Sequence, residues 1–540
     1  MDNSTLIEFF GHILHGFTRD VSNQYTTDES EFTAAQSFGY SPLESTGREW
    51  YRHPVDELIY QEYSVREAIS SGYLASRSVN VSVSDACSTE NNEEREEIQQ
   101  DRDCRGMAWK RLRPSALRTV WNSMSTGASI SLLSPTIVGI IYMLFSYISY
   151  NTILQCRFSV MRLFPIRVQW VRTLADLCAN AIYYTFSFVT FLLLFRPYQM
   201  KGVKRKLFTI CSLVYCLDGL YRVALQMRGT PYYIKVYYRV PTYVFYIINV
   251  SLQLYALAGH FNMRSRKMVA SLIGKVTVPT CISFAAAFLI TKYVYPAYNH
   301  HTKEGKILIA LFTPCFGVAL KAISRICVQR LWKITHPGYS YVILAPLYLG
   351  TAVMSRVLQL DLDRLQSIAF LGVIHGVAEV IERSTMVFID HICHMLWKRR
   401  SAPWGSFRTP RRERLTADTV AIMSMLFEST AIVSVNGFLC WYQFVYLKNH
   451  SVKSLLQKFA VATSVPLVIE WFFTSVSLAI ETHYQNMAVM AVWRRRWKRH
   501  ILVAIVNAVP VAIWTSANLI VVVYGRFNVT PKQPCKMPFS

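Results

Sequence analysis

Three side chains able to do acid–base or ion chemistry fall close together in an apolar stretch: His375, Glu379 and Glu382, within IHGVAEVIER. A helix turns about 100° per residue, which places Glu379 near +40° and Glu382 near −20° from His375. The three therefore share one narrow face over roughly 10 Å. A carboxylate in hydrocarbon costs about 2.5–3.5 kcal/mol on insertion scales, so it is expected to face a bundle interior, a partner charge or water. Such a face suits a proton or ion path. Alternatively, Glu379 and Glu382 sit at the cytosolic interface, with Glu382 beside Arg383 and half solvated. His375-x3-Glu379 also has the one-turn spacing of helical metal ligands, but neither HExxH nor paired ExxH on facing helices accompanies it, and no metal site is assigned. Gly372 and Gly376 form a GxxxG step around His375, which lets a second helix approach closely.

Further carboxylates lie in later apolar segments: Glu428, Glu470 and Glu481. Glu470 and Glu481 are eleven residues apart, within about 20° on one helix face. Together with His375, Glu379 and Glu382 they are expected to line one polar cavity among the last four spans. Asp218 and Arg222, four residues apart, are positioned to pair inside the membrane.

The elements that would carry these residues are membrane helices. The chain has 540 residues, 52% of them hydrophobic, well above a soluble domain's share once the polar N-terminal region is set aside. Apolar segments of about the 20 residues a crossing needs occur near 128–150, 173–195, 207–225, 240–259, 269–291, 307–328, 339–355, 365–383, 420–446, 459–480 and 501–524. The expected fold is all-α and polytopic, with about 10–11 transmembrane helices. The segments 307–328 and 339–355, divided by His336-Pro337-Gly338, have a re-entrant hairpin as their alternative. Lys275 and Pro279 mark an expected kink in 269–291. The chain divides into an acidic, largely disordered cytosolic region over 1–127, the helical domain over 128–524, and a short tail over 525–540.

Charge is segregated. Residues 1–103 hold 20 acidic and 7 basic side chains, whereas the whole chain is +24. The positive charge sits in short connections between apolar spans, which points to membrane topology and anionic headgroups rather than nucleic acid. Lys398, Arg399 and Arg400 after one span, and Arg494, Arg495 and Arg496 after another, each follow a Trp and are expected at lipid headgroups on the cytosolic side. The 447–458 connection holds three lysines and the sequon Asn449-His-Ser451, which suits a lumenal or outside loop with Asn449 as the acceptor. The acidic N-terminal region is expected to recruit a protein partner or to dock on the chain's own basic loops. The twelve cysteines follow no disulfide or zinc framework.

Walker A, dinucleotide-glycine, GxSxG, zinc-protease and potassium-filter motifs are all missing from the sequence. The reading that follows is an integral membrane transporter or channel with a polar His/Glu core. A receptor or scaffold binding anionic lipid and protein partners is the first alternative, and an intramembrane lipid-modifying enzyme using His375, Glu379 and Glu382 is the second. No cofactor is identified.

Overall fold

A computed structural model describes residues 116–154, 165–195, 200–229, 236–263, 265–300, 303–329, 331, 335, 337–359, 365–398, 411–446, 452–483 and 489–527. The helices are α1 (Ala116–Ala128), α2 (Ser134–Ser149), α3 (Ile166–Leu194), α4 (Lys204–Met227), α5 (Val236–His260), α6 (Arg266–Leu289) and α7 (Tyr295–His300). They continue as α8 (Lys303–Gln329), α9 (Pro337–Gln359), α10 (Leu365–Lys398), α11 (Arg411–Tyr446), α12 (Val452–His483) and α13 (Val489–Phe527). No strand occurs among the described residues, and the fold is an all-α, multi-pass membrane bundle.

Among the described residues, eight helical stretches are long and apolar enough to cross a membrane: 119–152, 166–194, 204–227, 237–260, 338–358, 416–444, 453–482 and 496–516. All eleven apolar segments expected from sequence lie on helices. α8 and α9 are separate helices of 27 and 23 residues, about 40 and 35 Å long, each sufficient for a roughly 30 Å hydrocarbon core. Among the described residues a helix begins at Ala116, ahead of the expected boundary at 127/128, and runs through a π-helical turn at Ser129–Leu133 into α2. Residues 1–115 and 528–540, and with them the predicted N-terminal region and tail, lie outside the described residues.

α9 and α11 lie side by side at the centre, surrounded by α2, α6, α8, α12 and α13. The apolar window of α11 is 89% buried, against 28% for those of α3, α4 and α5. Centrality explains why α11 tolerates Thr416, Ser424, Ser429, Thr430 and Ser434 as buried residues: their short side chains allow close helix approach and can hydrogen-bond the backbone. Thr430 donates to the Leu426 carbonyl at 2.6 Å, for example.

Proline is accommodated in the same way. Pro466 has no N–H, so the Ala462 carbonyl four residues back loses its helical donor. Asn436 of α11 supplies one, its Nδ2 lying 3.0 Å from that carbonyl oxygen.

Candidate functional site

The most polar region of the bundle is built by five consecutive long helices. α8 brings Lys321 and Arg325, α9 Arg356, α10 His375, Glu379, Glu382 and Arg383, α11 Glu428, and α12 Glu470 and Glu481; all ten are buried. Spacing on α10 does the local work. Residues 375, 379, 382 and 383 repeat every three or four positions and therefore point the same way. The opposite stripe of that helix, Phe370, Val373, Val377 and Ile381, is exposed and apolar, as a lipid-facing surface should be.

The charges interlock. Lys321 Nζ lies 3.5 Å from Glu382 and 3.7 Å from Glu428, bridging α8 to α10 and α11. Arg325 reaches Glu382 at 3.6 Å and the Tyr348 hydroxyl at 3.1 Å. Arg356 pairs with Glu470 at 3.3 Å. His375 Nε2 meets Glu428 Oε2 at 3.2 Å. Arg383 pairs with Glu379 one turn back on the same helix, and Ser424 donates to Glu379 at 3.4 Å. Glu481 accepts from Ser477 at 3.1 Å.

A small cavity of about 30 Å³ opens against Lys321, Thr351, Ser355, His375, Glu379, Glu382 and Glu428. That is room for one or two waters. No three His, Cys, Asp or Glu side chains converge as metal ligands among the described residues.

Each residue singled out in the sequence has a place here or elsewhere. Glu379 and Glu382 are 5% and 8% exposed and are compensated by protein cations rather than by water. Arg383 does not partner its neighbour Glu382 but Glu379. Gly372 and Gly376 face α12, where a Cβ at 372 would sit 3.5 Å from Ile469 and one at 376 would strike the Phe473 ring. Asp218 and Arg222 form a separate buried pair at 3.2 Å on α4, with Asn180 of α3 donating to the same carboxylate oxygen. Arg496, expected at lipid headgroups, is turned inward and 8% exposed, near Tyr339, because the backbone at this residue leaves the helical conformation. Arg494 is exposed. The Lys398 and Arg495 side chains, Arg399, Arg400 and Asn449 lie outside the described residues.

Sequence reasoning missed Lys321, Arg325 and Arg356. Their signal was present as basic residues inside apolar segments, with Lys321 and Arg325 four apart on one face. It also missed Arg499, whose Nη2 donates to the Leu193 carbonyl at 2.7 Å and so closes the open C-terminal end of α3.

None of the known protein families, curated proteins or solved structures compared with this chain matches it.

Proposed function

We propose that this protein moves an ion or small polar solute across its membrane through the core formed by α8–α12. One observation carries the reading: ten ionisable side chains from five neighbouring helices are buried, nine of them in ion pairs. Ionisable groups at membrane depth are costly and recur where substrates, ions or protons pass. For scaffolding alone, well-packed apolar residues serve at least as well as buried ion pairs. The space beside the network is water-sized, so a solute passes only when helices part, as a transporter requires.

The test uses purified protein in sealed liposomes. Entry of protons, sodium and potassium is followed with trapped dyes under imposed gradients at two pH values. Wild-type protein is expected to give a pH-dependent flux that falls at least about tenfold in Glu379→Gln and Glu470→Gln at equal incorporation, a loss of roughly 1.4 kcal/mol or more of barrier stabilisation. Flux no greater than in empty liposomes, or unchanged in both variants, overturns the reading.

A headgroup-binding scaffold draws support from exposed Arg494 and from Lys498, which lies over the half-exposed Trp497 ring at 5.7 Å. On that reading, neutralising Lys398, Arg399 and Arg400 weakens binding to anionic vesicles, while Glu379→Gln leaves it unchanged.

A further inference from the structure

The small cavity beside Lys321 has walls that accept hydrogen bonds and scarcely donate them. Thr351 and Ser355 of α9 commit their hydroxyl hydrogens to backbone carbonyls, Thr351 to Leu347 at 2.8 Å and Ser355 to Thr351 at 3.0 Å. Their oxygen lone pairs are left over. His375 turns Nε2 to the Glu428 carboxylate and so carries its hydrogen there. Its Nδ1 is then a bare lone pair, buried with no hydrogen-bond partner. Glu382 and Glu428 add carboxylate oxygens, and Lys321 is the one donor among the described lining side chains.

Lys321 is held loosely. Its Nζ stands 3.5 Å from Glu382 Oε2 and 3.7 Å from Glu428 Oε1, beyond the roughly 2.7–3.2 Å of a closed N–H···O bond. The second oxygen of each carboxylate faces another partner, Arg325 for Glu382 and His375 for Glu428. Two carboxylate oxygens are thus turned to one ammonium group that closes on neither. The lysine head also lies over the Tyr348 ring, 5.0 Å from its centroid, which gives it a second resting place when it leaves the carboxylates.

We propose that this cavity is a seat for a free ammonium ion, with the Lys321 side chain as its tethered competitor. This rests on the transport reading and names its solute. A cavity of about 30 Å³ admits a particle of water's size, and ammonium is such a particle. It offers a tetrahedron of N–H donors and no lone pair, which suits walls made of carboxylate oxygens, hydroxyl oxygens and an imidazole lone pair. Water brings lone pairs of its own, and sodium or potassium prefers oxygen ligands and leaves the imidazole nitrogen unused. Room for the ion is left by Gly317, one turn before Lys321 on α8. The nearest described atom to a Cβ at that position is Thr351 Cβ, at 4.0 Å, so alanine fills the space without a clash.

The test heats detergent-purified full-length protein at neutral pH and fixed ionic strength in choline, sodium, potassium or ammonium chloride. Wild-type protein is expected to show a saturable upward shift of its unfolding midpoint in ammonium that sodium and potassium do not give. Lys321→Met removes the competitor and keeps a side chain of similar length, and half-saturation is expected at an ammonium concentration at least about tenfold lower. Gly317→Ala is expected to fold at least as well as wild type, since alanine is the better helix former, and to lose the ammonium shift. The proposal is overturned by a wild-type protein with no ammonium shift, by an equal shift in sodium or potassium, or by a shift that Gly317→Ala leaves unchanged. A folded Lys321→Met protein that half-saturates as wild type does also overturns it; if that variant does not fold, Gly317→Ala decides alone. In sealed liposomes ammonium is offered beside protons, sodium and potassium, and the current after an ammonium jump is recorded, since neutral ammonia carries none. An ammonium shift with no flux of any of the four ions keeps the seat and removes transport. Flux of another ion with no ammonium shift does the reverse.

Discussion

Glu428 is the residue on which the network turns. It lies near the middle of the candidate span 416–444 and answers both Lys321 and His375. Removing one member of a buried pair leaves an uncompensated charge and costs about 3–5 kcal/mol, whereas replacing both with apolar groups is often neutral. Glu428→Leu is therefore expected to lower the thermal unfolding midpoint in detergent clearly, and Glu428→Leu combined with Lys321→Met is expected to recover most of that loss. Equal, additive losses would show that the two side chains do not interact. The acidic half of this site was legible in the sequence because a carboxylate inside an apolar run is costly and calls for a partner charge, a bundle interior or water. Its basic half was not, because lysine and arginine can snorkel from many depths along a helix. Whether Lys321 does so or turns inward depends on which helix lies opposite, and that is tertiary information.

At the scale of elements, the bundle joins helices by local exchanges of hydrogen bonds that periodicity cannot reveal. The Ala462 carbonyl of α12, orphaned by Pro466, is taken by Asn436 of α11. Asn436→Leu is expected to cost about 1 kcal/mol by leaving that part-buried carbonyl unsatisfied. In a Pro466→Ala background the restored N–H satisfies the carbonyl internally, and the same Asn436 change is expected to become nearly silent. A double-mutant cycle of thermal midpoints reads the difference, and an unchanged cost in both backgrounds would refute the exchange. The GxxxG step at Gly372 and Gly376 did announce a close contact from sequence. Its partner, the Ile469 and Phe473 face of α12, did not follow from it, since small residues mark an approach without naming what approaches.

For the whole molecule, the open quantity is the number of crossings. Among the described residues eight stretches qualify by hydropathy, and the apolar segments 269–291, 307–328 and 365–383 lie on α6, α8 and α10 besides. α8 and α10 carry Lys321, Arg325, His375, Glu379, Glu382 and Arg383 on the buried side. Their outer stripes are apolar: Leu308, Phe312, Phe316 and Ile323 on α8, and Phe370, Val373, Val377 and Ile381 on α10. Lipid meets only those stripes, so a helix that scores as amphipathic can still cross when protein covers its charged face. α6, α8 and α10 have 24, 27 and 34 residues, about 36, 40 and 51 Å, each longer than the roughly 30 Å hydrocarbon core. If all three cross with the eight, the number of crossings is odd and the two chain ends lie on opposite sides; with the eight alone it is even and they lie together. On the expectation that the Lys- and Arg-rich 399–410 connection is cytosolic, counting back through α10, α9, α8 and α6 leads to an N-terminus in the cytosol and a C-terminus outside. Epitope tags at both ends, probed with antibody before and after selective permeabilisation of the plasma membrane or the organelle that holds the protein, are expected to report opposite sides. Both tags on one side would mean that α6, α8 and α10 do not all cross with the eight, and would undo the bundle on which the buried network depends.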